Sequence, residues 1–175
     1  MSIDVSKPIP IVDGQKISRE EFEKNYVKPQ KPVILRGLWK QYPAYAKWNY
    51  AFFKTTMGDV EVGLYSSTKA DPSKTMSEPT VKMKFSEYLQ LIEKEPTDLR
   101  LFLLPIFKYK PELLKDFDYP TITKNYMKLP FMFFGPKNAI THMHQDIDMS
   151  NVFLTQFEVK KRVVLFPPDQ SDLLY

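Results

Sequence analysis

The chain has no cysteine, which excludes disulfide scaffolds, cysteine-ligated zinc, iron–sulfur clusters and thiol nucleophiles. It does not need them to fold. A chain of 175 residues can bury roughly two thirds of its unfolded surface, enough for a core without covalent staples. Glycine is also scarce, at five residues, and no GxGxxG or GxxxxGK[ST] run cradles a phosphate. No uninterrupted apolar run approaches the ~18 residues of a membrane span, and Met1 to Pro10 lacks the basic start and apolar stretch of a signal peptide. A cytoplasmic protein with no membrane partner is therefore expected. Only four of the 25 basic residues are arginines (Arg19, Arg36, Arg100 and Arg162), so the net charge of +4 is weak support for nucleic acid, and DNA is not expected. No nucleophile elbow supports a Ser/His/Asp hydrolase.

What is present is an ordinary globular composition, 43% hydrophobic and 26% charged, with 15 prolines and 14% aromatics. That mix predicts one domain of short elements joined by stiff turns. Ser18-Arg19-Glu20-Glu21 is a capping box that should start a helix running to about Tyr26. Pro32 to Gly37 reads as a buried strand closed by glycine, Trp48 to Thr56 as a helix, and Val60 to Tyr65 as a strand. Ser66 to Pro79 is polar and proline-punctuated, hence a surface loop. Ser86 starts an amphipathic helix that ends before Pro96. From Leu99 the period changes, and Leu99–Leu104, Phe131–Phe134, Ala139–Asp146, Asn151–Phe157 and Arg162–Phe166 read as strands of a sandwich or barrel. Met127, Met132 and the aromatics of Phe131–Phe134 are expected in the core, and the lysines of Lys108–Lys115 and Lys124–Lys128 at the surface.

The chemistry concentrates in Thr141-His142-Met143-His144-Gln145-Asp146, which holds both histidines of the chain. On a strand, positions 142, 144 and 146 share one face, and neighbours two apart can converge on one ion. His144 and Asp146 have that spacing. His142 and Asp146 would stand roughly 13 Å apart at the backbone, too far for one metal without a bulge. An imidazole and a carboxylate so placed are two members of the 2-His-1-carboxylate facial triad of Fe(II) oxygenases. A hydrogen-bonded surface or core histidine is the plainer alternative for a bare His-x-Asp.

The surrounding residues resemble a family. Thr141-x-x-His144-x-Asp146, followed by Asn151, Gln156, Lys161-Arg162, Leu165-Phe166-Pro167-Pro168 and Leu174-Tyr175, is similar to the core of the JmjC-type cupin-like hydroxylases, in the style of the asparaginyl hydroxylase of the hypoxia response. Pro32 to Gly37, the Trp39 to Trp48 stretch and Pro111 to Asp118 are similar to the same family upstream.

The resemblance implies a mainly β fold, a double-stranded β-helix or jelly roll, entered through an N-terminal α/β segment. Residues 1–98 would form that segment and residues 99–175 the first part of the roll, within one structural domain. It implies an oxygenase using Fe(II) and 2-oxoglutarate, hydroxylating a protein side chain or an RNA base, and it leaves room for a homodimer. His144 and Asp146 match the first two iron ligands. Lys161 matches the lysine that pairs with the distal carboxylate of 2-oxoglutarate, whereas Lys160 should face the other way, and Thr141 and Asn151 match polar groups of that pocket. Val159 stands where the family usually has glycine. The family's second iron-binding histidine belongs to a later strand than this sequence reaches, so the expectation is an incomplete roll from a longer protein. The competing expectation is a non-catalytic cupin-like binding module or pseudoenzyme.

Overall fold

The computed structural model describes residues 7–66, 68, 78–94, 96–124, 128–146 and 150–173. Most of the Ser66 to Pro79 loop, Met127, the Ile147 to Met149 stretch and the Leu174-Tyr175 pair lie outside the described residues. Two compact units emerge, one of Met1–Lys40, Thr121–Lys124 and Asn151–Tyr175, the other of Gln41–Pro120 and Asn125–Ser150.

In the first unit, strands β1 (Ile11–Asp13) and β2 (Ile34–Arg36) pair in parallel, with Ile11 opposite Ile34 and Asp13 opposite Arg36. Gly37 follows β2 at φ 77°, a left-handed conformation that glycine adopts without a Cβ clash. Between the strands, α1 (Arg19–Phe22) starts where the capping box predicts, with the Ser18 hydroxyl accepting from the Glu21 amide at 3.1 Å. The helix widens into a π-helical turn, Glu23–Val27. Phe22 is its buried residue, and its ring lies 6.2 Å from Tyr26 and 6.1 Å from Phe153. The Arg19 Nε donates to the Thr121 carbonyl at 3.1 Å, so α1 is tied to chain more than a hundred residues away.

The second unit holds α2 (Pro43–Lys47), α3 (Tyr50–Met57), β3 (Glu61–Ser66), β4 (Val81–Lys84), α4 (Phe85–Lys94), β5 (Leu99–Leu104), α5 (Ile106–Tyr109), a 3-10 turn at Pro111–Lys115, and β6 (Met132–Phe134). The sheet runs β4-β3-β5-β6 and every neighbouring pair is antiparallel. Its covered face presents Val62, Leu64, Leu101, Leu104 and Phe134, all buried. Over them lie Phe53 and Met57 of α3 and Phe85, Tyr88, Leu89 and Ile92 of α4. The 85, 88, 89, 92 spacing is one helical stripe, which is why an amphipathic segment becomes this helix. Three phenyl rings meet at the centre, Phe134 lying 5.5 Å from Phe53 and 5.0 Å from Phe85 in edge-to-face contacts. The Asn49 side chain caps α3, accepting from the Phe52 amide at 2.9 Å. Lys47 pairs with Asp116 at 2.7 Å, and the Ala44 amide donates to the Asp116 carbonyl at 2.9 Å, so α2 is fastened to the 3-10 turn.

The elements expected in the first hundred residues fall close to their positions, as do β5 and β6, while β1, α2 and β4 were not expected. The strand expected to be buried at Pro32 to Gly37 is not, Ile34 being 47% exposed, because its two-stranded sheet leaves it uncovered. The later strands depart from expectation. Among the described residues, Ala139–Asp146, Asn151–Phe157 and Arg162–Phe166 form neither helix nor strand and have no ladder partners. Val152 is 66% exposed and Leu154 57%, so these apolar side chains are not in a core. A β-prone sequence becomes a strand only when a neighbour takes up its amides and carbonyls and one face is covered. The expected core assignment of Phe131–Phe134 also needs correction. Phe134 is buried, but Phe131 and Phe133 are exposed on alternate positions, because β6 is an edge strand covered on one face only.

Candidate metal centre

The chain leaves β6 through Gly135-Pro136 and reverses in a turn closed by the Ala139 amide donating to the Pro136 carbonyl at 3.2 Å. Asn138 takes the left-handed position of that turn, φ 65°, a conformation its short polar side chain tolerates. The following residues, 140–146, are exposed. Arg100 on β5 reaches them, its Nη1 donating to the Ile140 carbonyl at 2.6 Å and meeting the Thr141 hydroxyl at 3.4 Å.

Within this segment the His144 Nδ1 lies 2.8 Å from the His142 carbonyl. A carbonyl only accepts, so Nδ1 is the donor here, and in the neutral ring that tautomer leaves the lone pair on Nε2. The Nε2 atom faces the Asp146 Oδ1 at 3.5 Å. Two ligands bound at ~2.1 Å and at right angles around one ion lie roughly 3 Å apart, so this pair needs only a small closure to share a metal. The orienting bond on the other ring nitrogen is the support that metal-ligating histidines ordinarily have. The residues present therefore fit two positions of a metal site. As a plain ion pair they would add little, because their side chains are 61% and 56% exposed.

Among the described residues, it is the backbone carbonyl of His142 that meets this pair. Among the described residues no group of three His, Cys, Asp or Glu side chains comes together to hold an ion. Thr141, His144 and Asp146 share one segment of the second unit, whereas Asn151 and Lys161 belong to the first. Both of those residues are exposed, and Lys161 makes no salt bridge among the described residues. Just ahead of Lys161, Val159 sits at φ 56°, the backbone conformation that a glycine would take without strain. The Gln156 Nε2 donates to the Glu158 carbonyl at 2.6 Å in the same turn. Arg100 is the residue at this site that sequence reasoning passed over. Its one visible signal is a lone charge inside the apolar run Leu99–Leu104.

A model of the cupin-like domain matches residues 19–175. The chain belongs to the cupin-like domain family. The arginine-specific demethylase JMJ22 of Arabidopsis thaliana is 26% identical over 164 residues, covering 87% of this chain and 30% of the relative. Lysine-specific demethylase 8 of Xenopus tropicalis is 25% identical over 189 residues, 95% of this chain and 40% of the relative. The human tRNA wybutosine-synthesizing protein 5 is 26% identical over 192 residues, 96% of this chain and 58% of the relative. The cupin-like chain thus spans between 30% and 58% of the length of these three proteins. Membership fixes the fold class as cupin-like, and the antiparallel β3 to β6 sheet with its preceding helices is consistent with a jelly-roll arrangement. Two of these relatives carry names that state a demethylase activity, one on arginine and one on lysine.

Proposed function

We propose that the chain supplies two iron ligands, His144 and Asp146, to an Fe(II)- and 2-oxoglutarate-dependent oxygenase of the JmjC cupin-like type that hydroxylates a protein side chain or an RNA base. The observation that carries this is the His144–Asp146 pair itself, 3.5 Å apart with the imidazole held by the His142 carbonyl. Iron held by His144 and Asp146 would supply, with oxygen and 2-oxoglutarate, the oxidant for hydroxylating a substrate C–H bond, one oxygen atom going to the product and the other to succinate, with loss of carbon dioxide. The protein's share is to bind and orient. In the neutral ring the Nδ1 hydrogen bond selects the tautomer whose Nε2 lone pair is free to ligate, and Asp146 brings the negative charge that a divalent cation requires. Lys161, Thr141 and Asn151 are assigned to 2-oxoglutarate by their place in the sequence pattern, a fixed cation and polar groups being what a dicarboxylate needs. The substrate alternatives rest on relatives named for demethylation of arginine or lysine and for synthesis of a tRNA base.

Titration of Mn(II) or Fe(II) into wild type, His144→Ala and His142→Ala tests the assignment. His144→Ala is expected to weaken binding at least tenfold, since one of two protein ligands is lost, and His142→Ala to change it less than twofold, since only its backbone contributes. Equal losses in both variants, or none in His144→Ala, would remove the site. Succinate formation then separates the readings. Metal-dependent turnover supports the oxygenase, and metal binding without turnover points to a cupin-like binding module.

A further inference from the structure

We propose that Arg100 is a positioning residue for the His144-x-Asp146 pair, holding the ligand-bearing segment to the central sheet. This rests on the metal reading above. Residues 140–146 are exposed and have no ladder partner among the described residues, so the described sheet does not fix where His144 points. Among the described residues, the side-chain hydrogen bonds that reach this segment from elsewhere are the two from the Arg100 Nη1, to the Ile140 carbonyl at 2.6 Å and the Thr141 hydroxyl at 3.4 Å.

The tether is rigid at its own end. Arg100 lies on β5 opposite Tyr65 of β3, and the next residue, Leu101, lies opposite Phe134 of β6. Its guanidinium sits over the Phe102 ring, 4.8 Å from the centroid, and that ring packs against Tyr65 at 5.7 Å. Among the described residues the buried Arg100 Nε has no hydrogen-bond partner, so the hydrogen bonds that the guanidinium makes there are the two to the ligand segment. A planar, permanently charged fork pinned against an aromatic ring loses little freedom when it grips a carbonyl. The grip is four residues from His144. Without it, the segment would have to be ordered at the moment of metal binding, and that entropy would be lost from the affinity.

The sign of the effect separates positioning from charge. A cation near a metal site opposes a second cation, so simple removal of charge should tighten metal binding, whereas loss of a positioning contact should weaken it. Calorimetric titration of Mn(II) into the 175-residue chain and its Arg100→Met and Arg100→Lys variants reads this directly. Arg100→Met is expected to bind about fivefold more weakly. Arg100→Lys should fall between, because an ammonium can still donate to the Ile140 carbonyl. In a His144→Ala background the Arg100→Met change should have no further effect, a coupling that a general loss of stability would not produce. Unchanged or tighter Mn(II) binding by Arg100→Met, where His144→Ala weakens it, overturns the proposal. A second readout needs no metal: the carbonyl carbon resonance of Ile140 should shift in Arg100→Met and move back toward wild type in Arg100→Lys. An unmoved resonance overturns the tether. If His144→Ala leaves Mn(II) binding intact, the metal reading fails on its own, and the carbonyl resonance still decides whether Arg100 holds the segment.

Discussion

Two residues show how much a single side chain can depend on its surroundings. Val159 is 76% exposed and stands at φ 56°, where a branched Cβ crowds the backbone. That conformation costs a β-branched residue roughly 1–2 kcal/mol, and glycine none of it. Glycine also loses more freedom on folding, so Val159→Gly should stabilise by a net of about 0.5–1 kcal/mol, read as a higher denaturant midpoint with an unchanged slope. A lower midpoint would show that the valine side chain is held by a contact worth more than its strain. Asp98 is the second case. The hydroxyls of Ser66 and Thr68, then the Thr68 amide, hold its carboxylate well below the usual range. A carboxyl whose folded pKa is depressed adds stability that is complete above its unfolded value, about 3.9, and is lost as pH falls below it. The expected outcome is that the melting temperature of wild type falls more steeply than that of Asp98→Asn between pH 5 and roughly 2. Parallel curves would mean that these hydrogen bonds form equally well to the protonated acid.

At the scale of elements, Tyr88 explains why α4 sits where it does. Its side chain is fully buried, and its hydroxyl lies 3.0 Å from the Leu99 carbonyl on β5 and 2.9 Å from the Phe134 carbonyl on β6. Burial pushes the phenol well above its ordinary pKa, so it stays a neutral donor. The β5–β6 register shifts between Leu101 and Leu104, where Leu103 takes φ 50°, and the helix supplies a hydrogen-bonding hydroxyl across that irregular pair. Tyr88→Phe keeps the ring and removes the hydroxyl, which should cost about 1–3 kcal/mol in equilibrium unfolding because buried carbonyls lose their partner. A cost below a few tenths would mean that water replaces the phenol. The stripe of α4 was legible in the sequence from Tyr88, Leu89, Leu91 and Ile92, of which all but the half-buried Leu91 enter the core, and the start of α1 from Ser18 and Glu21, because caps and stripes are local. The short strands β1 and β4 were not. Three or four residues carry too little alternation to be seen, and a partner strand many residues away decides whether they pair.

For the whole molecule, the division between local and distant information falls on the candidate site. The sequence by itself determined the His144-x-Asp146 spacing, the exclusion of cysteine chemistry, the helices with caps, and the pattern by which the chain belongs with the cupin-like family. Each of these depends on residues within a few positions of one another or on composition. Only the tertiary structure decided that Arg100 grips Ile140 from forty residues away, and that Phe134 enters the core while Phe131 and Phe133 do not. It also decided that, among the described residues, the apolar runs after Ala139 stay without ladders, against the periodicity that marked them as strands. The physical reason is the same in each case. A helix satisfies its own amides within one turn, so its signal is local, whereas a strand or a tethered loop is completed by groups that only folding brings near.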